Sequence, residues 1–152
     1  MFKKVLILMI LGLVSMGVAV AADNAASSFE VPGSFEDIGD GVFVLYDSGK
    51  NPQQILSIVS FTEHDGEDYL TNDSENNYTV YAYENGTYNF VDKSMNEKGS
   101  FEIIEFNGTK YIVDFTKREI GNENDFNDTY KFLVEFNKLN ENKNITIINE
   151  TD

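Results

Sequence analysis

The amino-acid sequence predicts an α+β fold, in which a mainly antiparallel sheet of about six or seven strands carries one C-terminal amphipathic helix packed on it. Two dipeptides, Asn85-Gly86 and Asn107-Gly108, each lie between runs rich in β-branched and aromatic residues. Asn-Gly is favoured in type I′ turns, where both central residues need a positive φ, so each dipeptide predicts a β-hairpin. Further along the chain, apolar residues recur with the period of a helix.

Composition limits the classes of protein to which this chain can belong. It has 152 residues, a net charge of −15 and no cysteine. The length suits one domain, predicted over residues 29–152. The acidic composition argues against a nucleic-acid partner, because binding to phosphate needs clustered Lys and Arg. The absence of cysteine excludes disulfides, thiolate metal sites and cysteine nucleophiles.

Residues 1–22 have the pattern of a signal peptide. Lys3 and Lys4 precede an apolar run, and the small residues Ala19-Val20-Ala21 follow it. The alternative is an uncleaved membrane anchor, since the apolar run approaches the length of a transmembrane span. Cleavage near Ala21 is the favoured interpretation. It predicts an exported protein, extracellular or at the cell surface, with a short polar tether over residues 23–28.

The first part of the predicted domain contains three short β-rich runs. Phe29–Val31 predicts a brief first strand that ends at Pro32-Gly33. Val42–Tyr46 is a continuous apolar run between turn residues, and Ile55–Phe61 alternates in the manner of a strand. Residues 47–52 between these two runs predict a hairpin loop.

The first Asn-Gly hairpin predicts an aromatic face. A two-residue turn fixes the pairing register, and this register places Tyr83 opposite Tyr88 and Tyr81 opposite Phe90. Four aromatic side chains would then share one face of the hairpin. Exposed tyrosines could stack on sugar rings or contact a partner protein. The favoured alternative is that this face packs under the helix.

The second hairpin predicts strands that are covered on both sides. One face gathers apolar side chains, namely Ile104, Phe106, Tyr111, Val113 and Phe115. The opposite face carries Phe101, Ile103 and Ile112, with the pair Glu105 and Lys110 near the turn. Apolar residues on both faces indicate a position in the middle of the sheet.

The segment Glu63–Asn77 shows no apolar period and predicts a surface loop. Its acidic start contains the weak metal-ligand candidates His64, Asp65, Glu67 and Asp68. The spacing does not match an EF-hand loop, and a run of this kind is commonly a solvated loop. We therefore predict no metal site and no cofactor.

The C-terminal part predicts one amphipathic helix over about Glu123–Glu141. Phe126, Tyr130, Leu133 and Phe136 recur at helical spacing along one face. The segment containing Ile145 and Ile147 fits either a final short strand or a tail that packs on the domain.

Several stretches carry a resemblance to known proteins. They are the signal-like segment, Phe-Glu-Val-Pro-Gly at residues 29–33, Ile-Ile-Glu-Phe-Asn-Gly-Thr-Lys-Tyr-Ile-Val at residues 103–113, and Tyr-Lys-Phe-Leu-Val-Glu-Phe-Asn at residues 130–137. The chain resembles small secreted proteins of methanogenic archaea, of unknown function, whose layout is similar to the PsbP/Mog1-like fold. The resemblance implies no catalytic residue. The sequence shows no second strong helix for the far face of the sheet, which is a departure from that fold.

Seven Asn-x-Ser/Thr sequons predict candidate N-glycosylation sites. Turn chemistry already explains Asn85 and Asn107. The remaining candidates are Asn72, Asn77, Asn127, Asn144 and Asn149.

Two functions of different classes remain open. The sequence has one histidine and lacks the G-x-S-x-G and H-E-x-x-H motifs, so common nucleophile and metalloprotease templates do not apply. The favoured prediction is a non-catalytic envelope module that binds a wall polymer, a glycan or a surface protein. The alternative is a small envelope hydrolase that uses a pair of carboxylates. A cleft that brings two carboxyl groups together would favour the hydrolase.

Overall fold

A computed structural model describes residues 26–149, apart from the side chains of residue 27 and residues 63–65. The predicted signal peptide lies outside the described residues, as does the first half of the predicted tether, residues 23–25. Both therefore stay predictions.

Within the described residues, the chain forms one open antiparallel sheet of eight strands and two α-helices. The strands are β1 (Glu36–Gly39), β2 (Val42–Tyr46), β3 (Pro52–Ser60), β4 (Tyr78–Ala82), β5 (Thr87–Asp92), β6 (Glu97–Phe106), β7 (Thr109–Arg118) and β8 (Ile145–Ile148). The helices are α1 (Glu63–Leu70) and α2 (Asn127–Leu139). The predicted α+β class and the mainly antiparallel sheet are confirmed, with more strands and one more helix than the sequence indicated.

The strand order across the sheet is β1-β2-β3-β7-β6-β5-β4. Strand β8 pairs with the last four residues of β6, beyond the point where β5 ends. The tip of the β4–β5 hairpin meets β8 there, since a Cβ atom on Gly86 would lie 2.7 Å from Cγ2 of Ile147. The C-terminal segment is thus a strand rather than a loose tail.

The central hairpin of β6 and β7 has the predicted register. Ile103 pairs with Ile112, Ile104 with Tyr111, and Glu105 with Lys110. The turn residues Asn107 and Gly108 have φ values of 52° and 78°, as a type I′ turn requires.

The hairpin of β4 and β5 differs from the prediction by one residue. Asn85 and Gly86 have positive φ values of 52° and 83°, so the turn itself is as expected. Glu84 O accepts a hydrogen bond from Thr87 N, and Thr87 O accepts one from Tyr83 N. Two residues of one strand therefore face Thr87, which is the arrangement of a β-bulge.

The bulge overturns the predicted face of four aromatic residues. Ala82, not Tyr83, lies opposite Tyr88, and Tyr81 lies opposite Asn89. Because successive side chains of a strand point to opposite faces, a shift of one residue moves Tyr81 and Tyr83 away from the face of Tyr88.

One face of the sheet carries a large buried apolar cluster. Leu133 and Phe136 of α2 join a buried cluster with residues of the sheet and of the N-terminal segment, which are Ala26, Phe29, Phe43, Leu56, Ile58, Ile104, Tyr111, Val113 and Phe115. The helix spans fewer residues than the predicted Glu123–Glu141.

The predicted first strand at Phe29–Val31 is wrong, because this segment is irregular and follows a short 3₁₀ turn at Ala26–Ser28. The side chain of Asn140 makes the two backbone hydrogen bonds that a neighbouring strand would otherwise make. Its Oδ1 accepts a hydrogen bond from Glu30 N at 2.8 Å, and its Nδ2 donates to Glu30 O at 2.8 Å. The Phe29 ring then packs against Phe106 and Phe136, with centroids 5.0 and 5.8 Å away.

The opposite face packs against α1, so the surface loop predicted over Glu63–Asn77 is wrong in its first half. Tyr69 is buried, its ring lies 4.9 Å from that of Phe101, and its hydroxyl donates to Asp114 Oδ2 at 2.8 Å. An eight-residue helix that buries one aromatic side chain gives too short a pattern to recognise in sequence.

Gly99 in β6 provides a test of how tightly this second face is packed. A Cβ atom at Gly99 would collide with the carbonyl oxygen of Phe115 and lie 2.7 Å from the Phe90 ring. Gly99→Ala should therefore lower the free energy of unfolding by about 3 kcal/mol, the upper end of typical overpacking costs. Urea unfolding measures this change.

Gly108→Ala is the matched control, because a Cβ atom there meets nothing within 4 Å. Only the positive φ opposes it, at a cost of about 1–2 kcal/mol. If Gly99→Ala cost less than Gly108→Ala, the close approach of β6 to β7 and Phe90 would be wrong.

Candidate functional site

An open cleft lies between the bulged β4–β5 hairpin and the start of α2, with a volume of about 360 Å³. We call it the aromatic cleft. Its lining combines three aromatic residues with amide side chains and one carboxylate, namely Tyr83, Asn89, Asn122, Asn124, Asp125, Phe126, Asn127 and Tyr130.

Two aromatic pairs join the hairpin to the helix at this cleft. The rings of Tyr83 and Tyr130 meet edge to face, with centroids 4.9 Å apart. Tyr81 and Phe126 form a second, looser pair at 6.2 Å. Tyr81 and Tyr83 remain 48% and 52% exposed. They thus present ring surface to solvent while their positions are held by the helix.

The floor of the cleft is a buried polar network. Ser100 Oγ donates to Asn89 Oδ1 at 2.6 Å and lies 2.8 Å from Thr129 Oγ1 on α2. Asn89 is almost fully buried, and its Nδ2 makes no hydrogen bond to any described residue. An amide nitrogen has two donor hydrogens, so Asn89 offers donors to a ligand in the cleft.

The loop before α2 is held in place by Lys98. Its Nζ donates to the carbonyl oxygens of Asn122, at 2.9 Å, and Asp125, at 2.5 Å. The same Nζ lies 5.9 Å from the centre of the Phe126 ring, a cation–π distance. Because Lys98 is largely buried by these contacts, its charge stabilises the wall of the cleft and is not presented to a ligand.

Acidic groups stand at the rim of the cleft. Tyr130 donates its hydroxyl hydrogen to Glu84 Oε1 at 3.2 Å. Partial burial and this hydrogen bond raise the pKa of the Tyr130 hydroxyl. The hydroxyl therefore stays protonated well into the alkaline range and keeps Glu84 beside the cleft.

Glu102 lies behind the cleft and connects the sheet to α2. It is 3% exposed, and its two carboxylate oxygens accept hydrogen bonds of 2.8 Å from Thr87 Oγ1 and Asn137 Nδ2. Burial raises the pKa of the Glu102 carboxyl above its ordinary value of 4.5, and the two hydrogen bonds lower it only in part.

The structure brings together half of the predicted aromatic face. Tyr83 lines the cleft and Tyr81 lies beside it, against Phe126. Tyr88 and Phe90 are buried on the other face, where Tyr88 stacks on Phe101 with centroids 5.1 Å apart. Sequence reasoning missed Phe126 and Tyr130 as partners of these tyrosines, because it assigned them to the core face of the helix.

The metal-ligand candidates remain separate from this cleft. The side chains of His64 and Asp65 are not described, while Glu67 and Asp68 line a shallow groove of about 230 Å³ with Asp73. In the part of the chain that the structure describes, no three His, Asp or Glu side chains are placed to hold a metal ion.

Buried carboxylates elsewhere are engaged within the protein. Asp114 accepts hydrogen bonds from the hydroxyls of Tyr69 and Thr116, Asp92 accepts one from Met95 N, and Glu97 lies 3.9 Å from Arg118. The aromatic cleft itself is lined by a single carboxylate, Asp125.

All seven sequon asparagines are exposed, while the buried Asn89 and Asn140 lie outside any sequon. Asn77 has a φ of 53°, so a left-handed backbone position accounts for it, as it does for Asn85 and Asn107. At Asn127, the sequon hydroxyl belongs to Thr129, which is fully buried and bonded to Ser100. The third residue of this sequon is thus enclosed in the fold, while Asn127 itself is exposed and lines the aromatic cleft.

Comparisons of the chain with protein-family models, curated proteins and solved structures found no match. The resemblance to small secreted archaeal proteins therefore stays a prediction. Among residues 26–149, neither helix is long and apolar enough to cross a membrane.

Because the pKa of Glu102 is raised in the folded state, the free energy of unfolding should depend on pH. The folded state binds the Glu102 proton more tightly than the unfolded state does, so this proton stabilises the fold below pH 4.5. That contribution is lost as the pH rises through the folded-state pKa. Glu102→Gln cannot ionise, and it keeps an oxygen for Asn137 and an amide group for Thr87.

The stability of Glu102→Gln relative to the wild type should therefore increase as the pH is raised from about 4 to 7. Urea unfolding of both proteins across this range measures the difference. A difference that does not change with pH would show that Glu102 is not desolvated in the folded state.

Proposed function

We propose that the protein is an exported, acidic, non-catalytic module that binds a neutral saccharide of an envelope glycan or wall polymer at the aromatic cleft. The single observation that carries this proposal is the half-exposed ring of Tyr83 beside the amide donors of Asn89, which bind no described residue. The proposal takes α2 to be packed firmly on the sheet, because α2 forms the second wall of the cleft.

The chemistry of the lining suits a sugar ring. The C–H groups of a sugar pack on the flat face of an aromatic ring, and its hydroxyls exchange hydrogen bonds with amide side chains. The cleft offers both, because Tyr83 and Tyr130 line it together with Asn89, Asn122 and Asn124. Its volume falls at the lower end of the roughly 300–1,000 Å³ typical of ligand sites.

The charges around the cleft favour a neutral ligand. Glu84 and Asp125 stand at the rim, and the nearby Lys98 is bound to the loop. The whole chain carries a net charge of −15. An anionic polymer would be repelled by this field, while an uncharged saccharide would not.

The lining also supports binding rather than hydrolysis. Glycoside hydrolysis usually needs two carboxylates on opposite sides of the scissile bond, and only Asp125 lines the cleft.

Tyr83→Ala should weaken binding to neutral polysaccharide by about tenfold, a loss of about 1.4 kcal/mol, because it removes the exposed stacking surface. Titration calorimetry against a panel of neutral and acidic polysaccharides measures this change. Tyr46→Ala is the matched control, since Tyr46 is 36% exposed and lies on β2, away from the cleft.

Three results would contradict the proposal. Tyr83→Ala could bind as the wild type does, acidic polymers could bind more tightly than neutral ones, or the wild type could release new reducing ends from the polysaccharide. The last result would favour the hydrolase.

Export makes a separate prediction. The native protein should begin near Ala22 or Asp23, because the Ala19-Val20-Ala21 pattern places cleavage near Ala21–Ala22. Intact-mass measurement and N-terminal sequencing of protein from the envelope fraction test this. Native protein that still carries residues 1–22 would instead be membrane-anchored.

A further inference from the structure

Strand β4 forms one edge of the sheet, and its sequence has few features that prevent pairing with a strand of another chain. It reads Tyr-Thr-Val-Tyr-Ala, with no charged residue and no proline, and among the described strands it pairs only with β5. The free backbone groups of such a strand can pair with another chain. Charged residues and proline are the usual means by which proteins prevent this.

The segment after α1 covers part of this edge. Asp73 and Tyr78 exchange two backbone hydrogen bonds of 2.9 Å. Further along the strand, Val80 N donates to the side-chain oxygen Oδ1 of Asn72 at 2.8 Å. Asn72 therefore blocks an outward-facing N–H group that a partner strand would otherwise bind.

This hydrogen bond also fixes the orientation of the Asn72 amide. Because its oxygen faces β4, its nitrogen Nδ2 is directed away from Val80, and it makes no hydrogen bond to any described residue. Asn72 and Ser74, the first and third residues of the sequon Asn72-Asp73-Ser74, are both exposed. The arrangement contrasts with Asn127, whose sequon hydroxyl is buried.

We propose that Asn72 is an N-glycosylation site and that its glycan shields the free edge of β4. A sugar on Nδ2 leaves Oδ1 available, so the hydrogen bond from Val80 N is retained. The glycan then adds hydrophilic bulk where a second strand would pair, in place of the charges that β4 lacks.

The reaction is a glycosyl transfer. A bond forms between Asn72 Nδ2 and the anomeric carbon of the first sugar, while the bond from that carbon to a phosphate oxygen breaks. The donor is a polyprenyl-phosphate-linked oligosaccharide, the lipid phosphate leaves, and the amide nitrogen gives one proton to a base of the transferase. No group is oxidised or reduced.

The test uses the purified full chain, a transferase that recognises Asn-x-Ser/Thr, and a polyprenyl-phosphate-linked oligosaccharide. Glycosylation in the cell depends on the export proposed above, but this reaction does not, so the two proposals can fail separately. Peptide mass spectrometry should find the glycan mass on Asn72 in the wild type. An unmodified Asn72 would overturn the proposal.

Two variants test the shielding role. Ser74→Ala removes the sequon while keeping Asn72 and its bond to Val80, and Thr109→Ala removes the exposed sequon of Asn107 as the matched control. After the transferase reaction, Ser74→Ala should lack the Asn72 glycan and shift towards dimers and larger species in light scattering as concentration rises. The control should keep the Asn72 glycan and stay monomeric. If Ser74→Ala stayed as monomeric as the control, the shielding role would be wrong.

Discussion

The pairing of β6 with β7 is the constraint on which the rest of the fold depends. Ile103 and Ile112 point to one face of this ribbon, and Ile104 and Tyr111 point to the other. Because both faces carry apolar side chains, each face must be covered by other parts of the chain to exclude water. Among the described residues, side chains of α2 and of the N-terminal segment belong to the buried cluster on one face, and Tyr69 of α1 belongs to the cluster on the other.

Buried polar side chains fix the positions of α2 and α1 relative to the sheet. Glu102 joins the sheet to Asn137 of α2, and Thr129 joins α2 to Ser100. On the other face, Tyr69 of α1 is fixed by its hydrogen bond to Asp114. A buried polar group without a partner costs free energy, so each of these bonds disfavours alternative placements of the helix. These bonds also fix side chains around the aromatic cleft, which would limit the entropy cost of binding the proposed saccharide.

The sequence predicted the fold where local chemistry determines structure. Asn107-Gly108 gave the central register, because a type I′ turn without irregularity leaves one pairing. The same reasoning failed at Asn85-Gly86, because a bulge at Tyr83 and Glu84 shifts the register by one residue although the turn residues keep their positive φ values. Helix α1 was missed because its burial rests mainly on Tyr69. The cleft partners Phe126 and Tyr130 follow from that bulge, so no local pattern could have identified them.

One strand links the proposed ligand site to the proposed modification site. The side chain of Tyr81 in β4 faces α2 and the aromatic cleft, while the backbone of Val80 faces outward to Asn72. These directions are nearly perpendicular in a β-strand, so a glycan at the edge and a saccharide in the cleft do not compete for space. Pairing of a second chain with β4 would instead press against the hairpin that carries Tyr83. Keeping this edge unpaired therefore also preserves the cleft, and the two features depend on the same five-residue strand.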